Sequence, residues 1–330
     1  MIAGVAQASV GLTVLPGKPA DGPVTVFYPS SNEAKAVQRG PYAFTLAQGG
    51  IAVAGNRRLI VLSHGSGGSP WVHADLAQRL VAAGFVVALP EHQGDNYKDF
   101  SKAGPESWRR RPAEVSRAID AVAADARFAP LLKFDKVGLY GMSAGGHTAL
   151  TLAGGRWSPS TLRAYCNAHL EEDFASCVGL SVELKGDMFD GFKTATARFI
   201  INWRLNDSQW NGANDPRIQA IVANVPYSVD FDLASLAKPR VPLGLVLAGQ
   251  DIWLPPRFHG QAVMQACTTC TLVADLPGAS HGSMLSPQPP FENMPALLTK
   301  LMRDPPGFDR AEVQRVDVLT VAFFRSHLLP

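Results

Sequence analysis

The stretch that decides the fold is Lys136–Gly154, KVGLYGMSAGGHTALTLAG. It opens with KVGLY, a short apolar run of the kind that forms a strand buried on both faces. It ends with AGGHTALTLAG, which is small, apolar and helix-like. Between them stands Gly141-Met142-Ser143-Ala144-Gly145, the pattern G-x-S-x-G. A serine on a tight strand-to-helix turn holds its hydroxyl clear of its neighbours. Gly141 and Gly145 must be bare for strand and helix to approach. The helix N-terminus favours negative charge developing beside Ser143. The plainer alternative is a glycine-rich helix start with Ser143 as its N-cap; the flanking strand and helix argue against it.

The alternation continues outward. Arg58–Ser63 (RLIVLS) and Phe85–Pro90 (FVVALP) are continuous apolar runs, with Leu76, Leu80 and Val81 at helical spacing between them, in Val72–Ala83. Pro112–Ala124 puts Val115, Ile119 and Val122 on one helix face. Ile218–Asn224, Pro242–Ala248 and Thr271–Leu276 supply further strands, and Arg310–Arg325 a last helix. Two β-rich runs, Ala8–Leu15 and Pro23–Tyr28, come first. The pattern predicts a mostly parallel, doubly wound α/β sheet with right-handed crossovers and the β-rich start at one edge. Gly155–Pro216 breaks the rhythm and is too long for a simple crossover. It reads as a cap inserted over the sheet's C-terminal edge, the alternative being a helical crossover packed on the sheet. One domain over residues 1–330 with a cap at 155–216 is the expected organisation.

Composition narrows the field. The 330 residues are 46% hydrophobic and carry a formal net charge of +2, which argues against a nucleic-acid partner or a disordered polyelectrolyte. No apolar run reaches the roughly 18–20 residues of a membrane helix, so no transmembrane segment is expected. The oligomeric state is open. Met1–Leu15 is apolar with its first charge at Lys18, and lacks the positive start of a signal peptide. A leader trimmed before Ile2 stays open. Cys166, Cys177, Cys267 and Cys270 fall as C-x10-C and C-x2-C. Two local disulfides, four unrelated thiols, and half a zinc site at the C-x2-C are the alternatives. Paired cysteines with a removed leader would place the chain in the periplasm or outside the cell; otherwise it is cytoplasmic.

The remaining chemistry gathers around Ser143. Ser63-His64-Gly65-Ser66-Gly67-Gly68 follows the strand RLIVL, and its loop can aim a backbone N–H at the point reached by the N–H after Ser143. Ser66 and Ala144 are the candidate oxyanion donors. A phosphate cradle would need G-x-x-x-x-G-K-[ST], which is absent. The general base belongs on a loop after the last strands, where His281 follows TLVADL. His64 braces its own loop, His259 reads as a surface residue on a helix, and His327 lies at the terminus. Asp251, closing PLGLVLAGQD, is the candidate acid, with Asp230 in VPYSVDFD its rival. The order Ser143, Asp251, His281 is the hydrolase order. Trp71, Trp253 and His147 are candidate pocket walls, core packing being the alternative. Asp95 and Asn96 read as turn chemistry, and Arg109-Arg110-Arg111 as the solvated start of a helix, facing that acidic loop or an anionic substrate.

Nearly the whole chain resembles the α/β-hydrolase fold. Within it, VTVFYPS, LSHGSGGSP, LVAAGFVVALPEHQGDN, WRRRPAEVSRAIDAV, KVGLYGMSAGGHTAL and DPRIQAIVANVP, spanning Val24–Pro226, resemble the predicted dienelactone hydrolases and the platelet-activating-factor acetylhydrolase-like esterases. The resemblance implies a Ser-His-Asp carboxylic-ester hydrolase that needs no metal or cofactor. Two departures stand out. Dienelactone hydrolases use Cys where Ser143 stands. In the acetylhydrolases the acid follows the earlier strand, the place of Asp230. The expected activity is hydrolysis of a small-molecule or lipid-like ester through an acyl-enzyme on Ser143. The same triad would serve an acyltransferase, thioesterase, amidase or polyesterase. A non-catalytic binding protein on this fold is the alternative from another class.

Overall fold

The computed structural model describes residues 8–19, 21–179, 182–292 and 294–330. The question of a leader before Ile2 lies outside them. The described strands are β1 (Ser9–Leu15), β2 (Val24–Ser30), β3 (Lys35–Arg39), β4 (Tyr42–Gln48), β5 (Leu59–Ser63), β6 (Val86–Pro90), β7 (Val137–Met142), β8 (Ile218–Asn224), β9 (Leu243–Ala248) and β10 (Thr271–Leu276). They form one sheet in the order β10-β9-β8-β7-β5-β6-β2-β1-β4-β3. From β6 to β10 every pairing is parallel, and β2 joins β6 antiparallel. This is the expected mostly parallel α/β sheet with a β-rich edge.

The edge is longer than the sequence reading had it. β3 and β4 form an antiparallel hairpin across Gly40-Pro41, with Gly40 at φ +54°. In β4, Tyr42, Phe44 and Leu46 point inward while Ala43 and Thr45 are exposed, a two-residue alternation visible in the sequence. β3 has no fully buried residue and closes the sheet as a polar edge.

Helices cover both faces of the parallel strands. α2 (Pro105–Ala124) and α3 (Ala144–Leu152) bury Val115, Ile119, Ala149 and Leu150 on one face. α1 (Ala74–Ala82) and α9 (Ala311–Leu328) bury Leu76, Leu80, Phe323 and Phe324 on the other. α2 begins at Pro105, well before the expected Pro112: Pro105 supplies the preset φ of the first turn, and Pro112 is carried inside the helix. Residues 155–216 hold α4 (Pro159–His169), α5 (Phe174–Val178) and α6 (Asp190–Arg204) between α3 and β8. α7 (Gly260–Ala266) and α8 (Ala296–Met302) complete the described helices.

The cysteines form two disulfides, Cys166–Cys177 joining α4 to α5 and Cys267–Cys270 joining the end of α7 to the approach to β10. This excludes the zinc reading of the C-x2-C and is consistent with an oxidising environment. Among the described residues no helix is long and apolar enough to cross a membrane.

Candidate active site

Ser143 sits where β7 turns into α3, with φ +57° and ψ −117°. A non-glycine residue in such a conformation costs about 1–3 kcal/mol and persists only when its surroundings over-determine it. They do so here: Ser143 N–H donates to Asn224 O (3.0 Å), and its C=O accepts from His147 N (2.9 Å) and Tyr227 N (3.2 Å). The flanking glycines allow the approach. A Cβ on Gly141 would lie 1.9 Å from Gly145 O, and one on Gly145 1.9 Å from Ser63 O.

His281 and Asp251 meet as expected. His281 Nδ1 and Asp251 Oδ2 are 2.6 Å apart. The other carboxylate oxygen, Oδ1, accepts from Trp253 N–H (2.9 Å) and Leu254 N–H (2.8 Å), so Asp251 is held on both sides. The Trp253 ring lies 5.1 Å from the imidazole. Beyond His281 the chain crosses the strand ends to the segment after β5, where Ser286 N–H bonds Val72 O and Asp75 N–H bonds Ser286 O. These bonds fix the chain at Ser286, after His281, against the segment that follows β5. The Ser143 hydroxyl makes no hydrogen bond to His281 here; such contacts commonly tighten only when substrate is bound.

Asp230, the rival acid, belongs to a different pair. Its Oδ2 is 3.0 Å from His147 Nε2, and both side chains are fully buried. His147 is therefore not a pocket wall: its ring is packed against Trp108 (4.7 Å), Phe231 (4.7 Å) and Trp157 (4.9 Å). Trp71 also departs from expectation, packing on Phe27 and Phe44 rather than lining a pocket. His259 is buried rather than on the surface. Its Nε2 faces Ser176 Oγ (3.0 Å) and Asp173 (3.3 Å), while Ser228 N–H donates to its Nδ1. Burial pushes the Asp173 carboxyl up, but the hydrogen bond and charge of His259 outweigh it and the net is downward. Ser176 Oγ also donates to Trp253 O, tying α5 to the Asp251 loop.

A cavity of about 630 Å³ opens over the elbow. Ser143, Ala144 and Ser66 line its floor, with Trp108, Tyr227 and Trp253 at its sides. α5 and α6 roof it with Phe174, Val178, Ala197 and Ile201. Neither Ser66 N–H nor Ala144 N–H is hydrogen-bonded among the described residues. Ser143 and the two residues of the candidate donors thus border one mostly apolar space.

Beneath the floor lies a polar layer that the sequence reading only touched. Arg111, expected to be solvated, is fully buried and pairs with fully buried Asp95 (2.8 Å). Burial pushes the Asp95 carboxyl up, but the Arg111 charge and the Ser107 hydroxyl outweigh it, and the net is downward. His64 braces the loop as expected. Its Nδ1 lies 2.7 Å from Gly65 O, and its Nε2 accepts from His92 N–H (3.3 Å). Burial, then the neighbouring His92 and Arg111, hold it neutral, far below the usual histidine range. A buried serine–histidine–carboxylate line lies in the same layer: Ser63 Oγ to His92 Nε2 (2.8 Å) and His92 Nδ1 to Glu114 Oε2 (2.6 Å). Burial lowers His92 and raises Glu114 to about 7. The sequence reading missed His92 and Glu114, although Glu114 lies next to Val115 on the buried stripe of α2.

Among the described residues no group of three His, Cys, Asp or Glu side chains is arranged to hold a metal ion. No curated protein matches the chain. It does match the alpha/beta hydrolase family over residues 60–292, from β5 past His281. With well over half its length matched, and with a strained elbow serine at the end of a central parallel strand, the chain belongs to the alpha/beta hydrolase family.

Proposed function

We propose that this hydrolase cleaves carboxylic esters through an acyl-enzyme on Ser143, with His281 as base and Asp251 as acid. The observation that carries the reading is the floor of the cavity, where Ser143 stands beside the unbonded N–H groups of Ser66 and Ala144. His281 Nε2 takes the Ser143 proton as Oγ attacks the ester carbonyl. The two N–H groups hold the oxyanion beneath a mostly apolar roof, where such donors count for more than in open water. Asp251 keeps the imidazole proton on Nδ1 and stabilises the imidazolium. The tetrahedral intermediate expels the alcohol, which leaves with the proton from Nε2. Water, deprotonated by His281, then releases the acid and restores Ser143.

Residues 155–216 act in this reading as a cap on a single domain, and the apolar roof from α5 and α6 selects a lipid-like acyl group. The mostly apolar cavity walls support the narrower resemblance to the dienelactone hydrolase and acetylhydrolase-like esterases. The two disulfides support residence in the periplasm or outside the cell. A p-nitrophenyl ester panel from acetate to palmitate tests the activity. Medium to long acyl chains are expected to turn over fastest, and Ser143→Ala to abolish turnover. Wild-type rates equal to those of Ser143→Ala would end the esterase reading.

A further inference from the structure

We propose that the buried Arg111–Asp95 pair is a positioning device for the oxyanion hole, fixing the Ser66 N–H from both sides. This inference rests on the esterase reading. The peptide that supplies the donor joins Gly65 to Ser66, so its carbonyl is Gly65 O. In a trans peptide the C=O and N–H point in opposite directions. Whatever grips the carbonyl therefore sets the direction of the N–H. Arg111 Nη2 reaches Gly65 O (3.4 Å), and Nη1 reaches the preceding carbonyl, His64 O (2.5 Å). His64 Nδ1–H and Gly68 N–H complete the grip on Gly65 O, at 2.7 and 3.1 Å. The His64 proton must be on Nδ1, because its Nε2 accepts from His92 N–H.

Asp95 takes the other side. Its carboxylate accepts from Ser66 Oγ (3.2 Å) and from Gly67 N–H (3.1 Å). Arg111 thus holds the two carbonyls before Ser66, and Asp95 holds the hydroxyl of Ser66 and the N–H after it. The Ser66 N–H is the donor left over, on a residue that lines the cavity. Ser107 Oγ locks the pair, donating to Asp95 (2.7 Å) and accepting from Arg111 Nε (2.9 Å). Both charged side chains are fully buried, where hydrogen bonds polarise one another most strongly. A cation on the carbonyl of a peptide also makes its N–H a better donor.

The geometry requires arginine. Lysine keeps the charge but cannot span two carbonyls and a carboxylate at once. The test is Arg111→Lys, measured as kcat per active site titrated with a fluorophosphonate on p-nitrophenyl butyrate. The expected result is a fall in kcat on the order of 10- to 100-fold, below the loss from deleting a donor outright, with KM within about twofold. The affinity of an alkylboronic acid, which places a tetrahedral oxygen in the hole, is expected to fall in parallel with kcat. Affinity for the product carboxylate is expected to stay unchanged. Should Arg111→Lys not fold, Ser107→Ala leaves both charges in place and is expected to lower kcat about three- to tenfold with the same pattern. A folded variant with wild-type kcat per titrated site and wild-type boronate affinity would overturn the proposal. Failure of the esterase reading would show separately, as turnover that survives Ser143→Ala.

Discussion

One fully hydrogen-bonded serine–histidine–carboxylate line runs through this molecule, and it is not the proposed catalytic one. Ser63, His92 and Glu114 are joined by hydrogen bonds of 2.8 and 2.6 Å. In the proposed catalytic set His281 and Asp251 are 2.6 Å apart, and Ser143 makes no hydrogen bond to the imidazole. The difference lies in the serines. Ser63 ends a regular central strand, is fully buried and does not line the cavity over the elbow. Ser143 is held at positive φ on the floor of a cavity, beside two free N–H groups. Hydrogen-bond lengths alone would favour Ser63; access, backbone strain and a place for the oxyanion favour Ser143, the proposed nucleophile.

The largest effect that could break this contrast comes from the two carboxylates. Asp251→Asn is expected to lower kcat on the order of 10³- to 10⁴-fold, because the amide favours the wrong imidazole tautomer. Glu114→Gln is expected to stay within about threefold of wild type. The measurement is steady-state kinetics on p-nitrophenyl butyrate with titrated active sites. A comparable loss in both variants would mean that the buried line takes part in the chemistry.

The serines give the next test. A fluorophosphonate label is expected on Ser143 alone, as read by peptide mapping. Ser63→Ala leaves His92 Nε2 without a partner in a sealed site, which costs about 1–3 kcal/mol of stability. Its thermal midpoint should drop while kcat per titrated site holds. Label on Ser63, or a kcat loss without a stability loss, would invert the assignment.

The sequence revealed the two sets unequally, for a physical reason. The elbow is legible because close backbone approach demands glycine at fixed offsets from Ser143. Asp251 and His281 are legible because parallel strands deliver their C-terminal ends to one edge, so strand order locates them. The buried layer depends on which way a helix faces. In α2 the buried positions run Ser107, Trp108, Arg111, Pro112, Glu114, Val115, Ala118, Ile119 and Val122, a helical stripe. Extended back from Val115, that stripe passes through Arg111 and leaves Arg109 exposed. Read as a run of like charges, the three arginines look solvated. Read by helical period, one of them points inward. The β3–β4 hairpin was missed for a different reason: its outer strand is an edge with no buried face to create a pattern.

The smallest effect concerns the proton that the buried line holds. Burial raises Glu114 from 4.5 to about 7 in the folded protein. A carboxyl whose folded pKa is raised binds more protons folded than unfolded across that interval. Its contribution is most favourable below about pH 4.5 and is lost as pH rises through about 7. Asp317, raised by burial from 3.8 to about 7, slopes the same way. Burial lowers His92, which slopes oppositely as pH falls. The informative quantity is therefore the difference between wild type and Glu114→Gln, which removes one group and leaves the others. Glu114→Gln is expected to gain stability relative to wild type between pH 5 and 8, by about 1–2 kcal/mol. Urea denaturation at several pH values reads it. A constant difference across that range would mean that Glu114 is already charged at pH 5 and that His92 carries the proton as an imidazolium. The buried line would then be a true ion pair, closer in its electrostatics to a working triad than its sealed position implies.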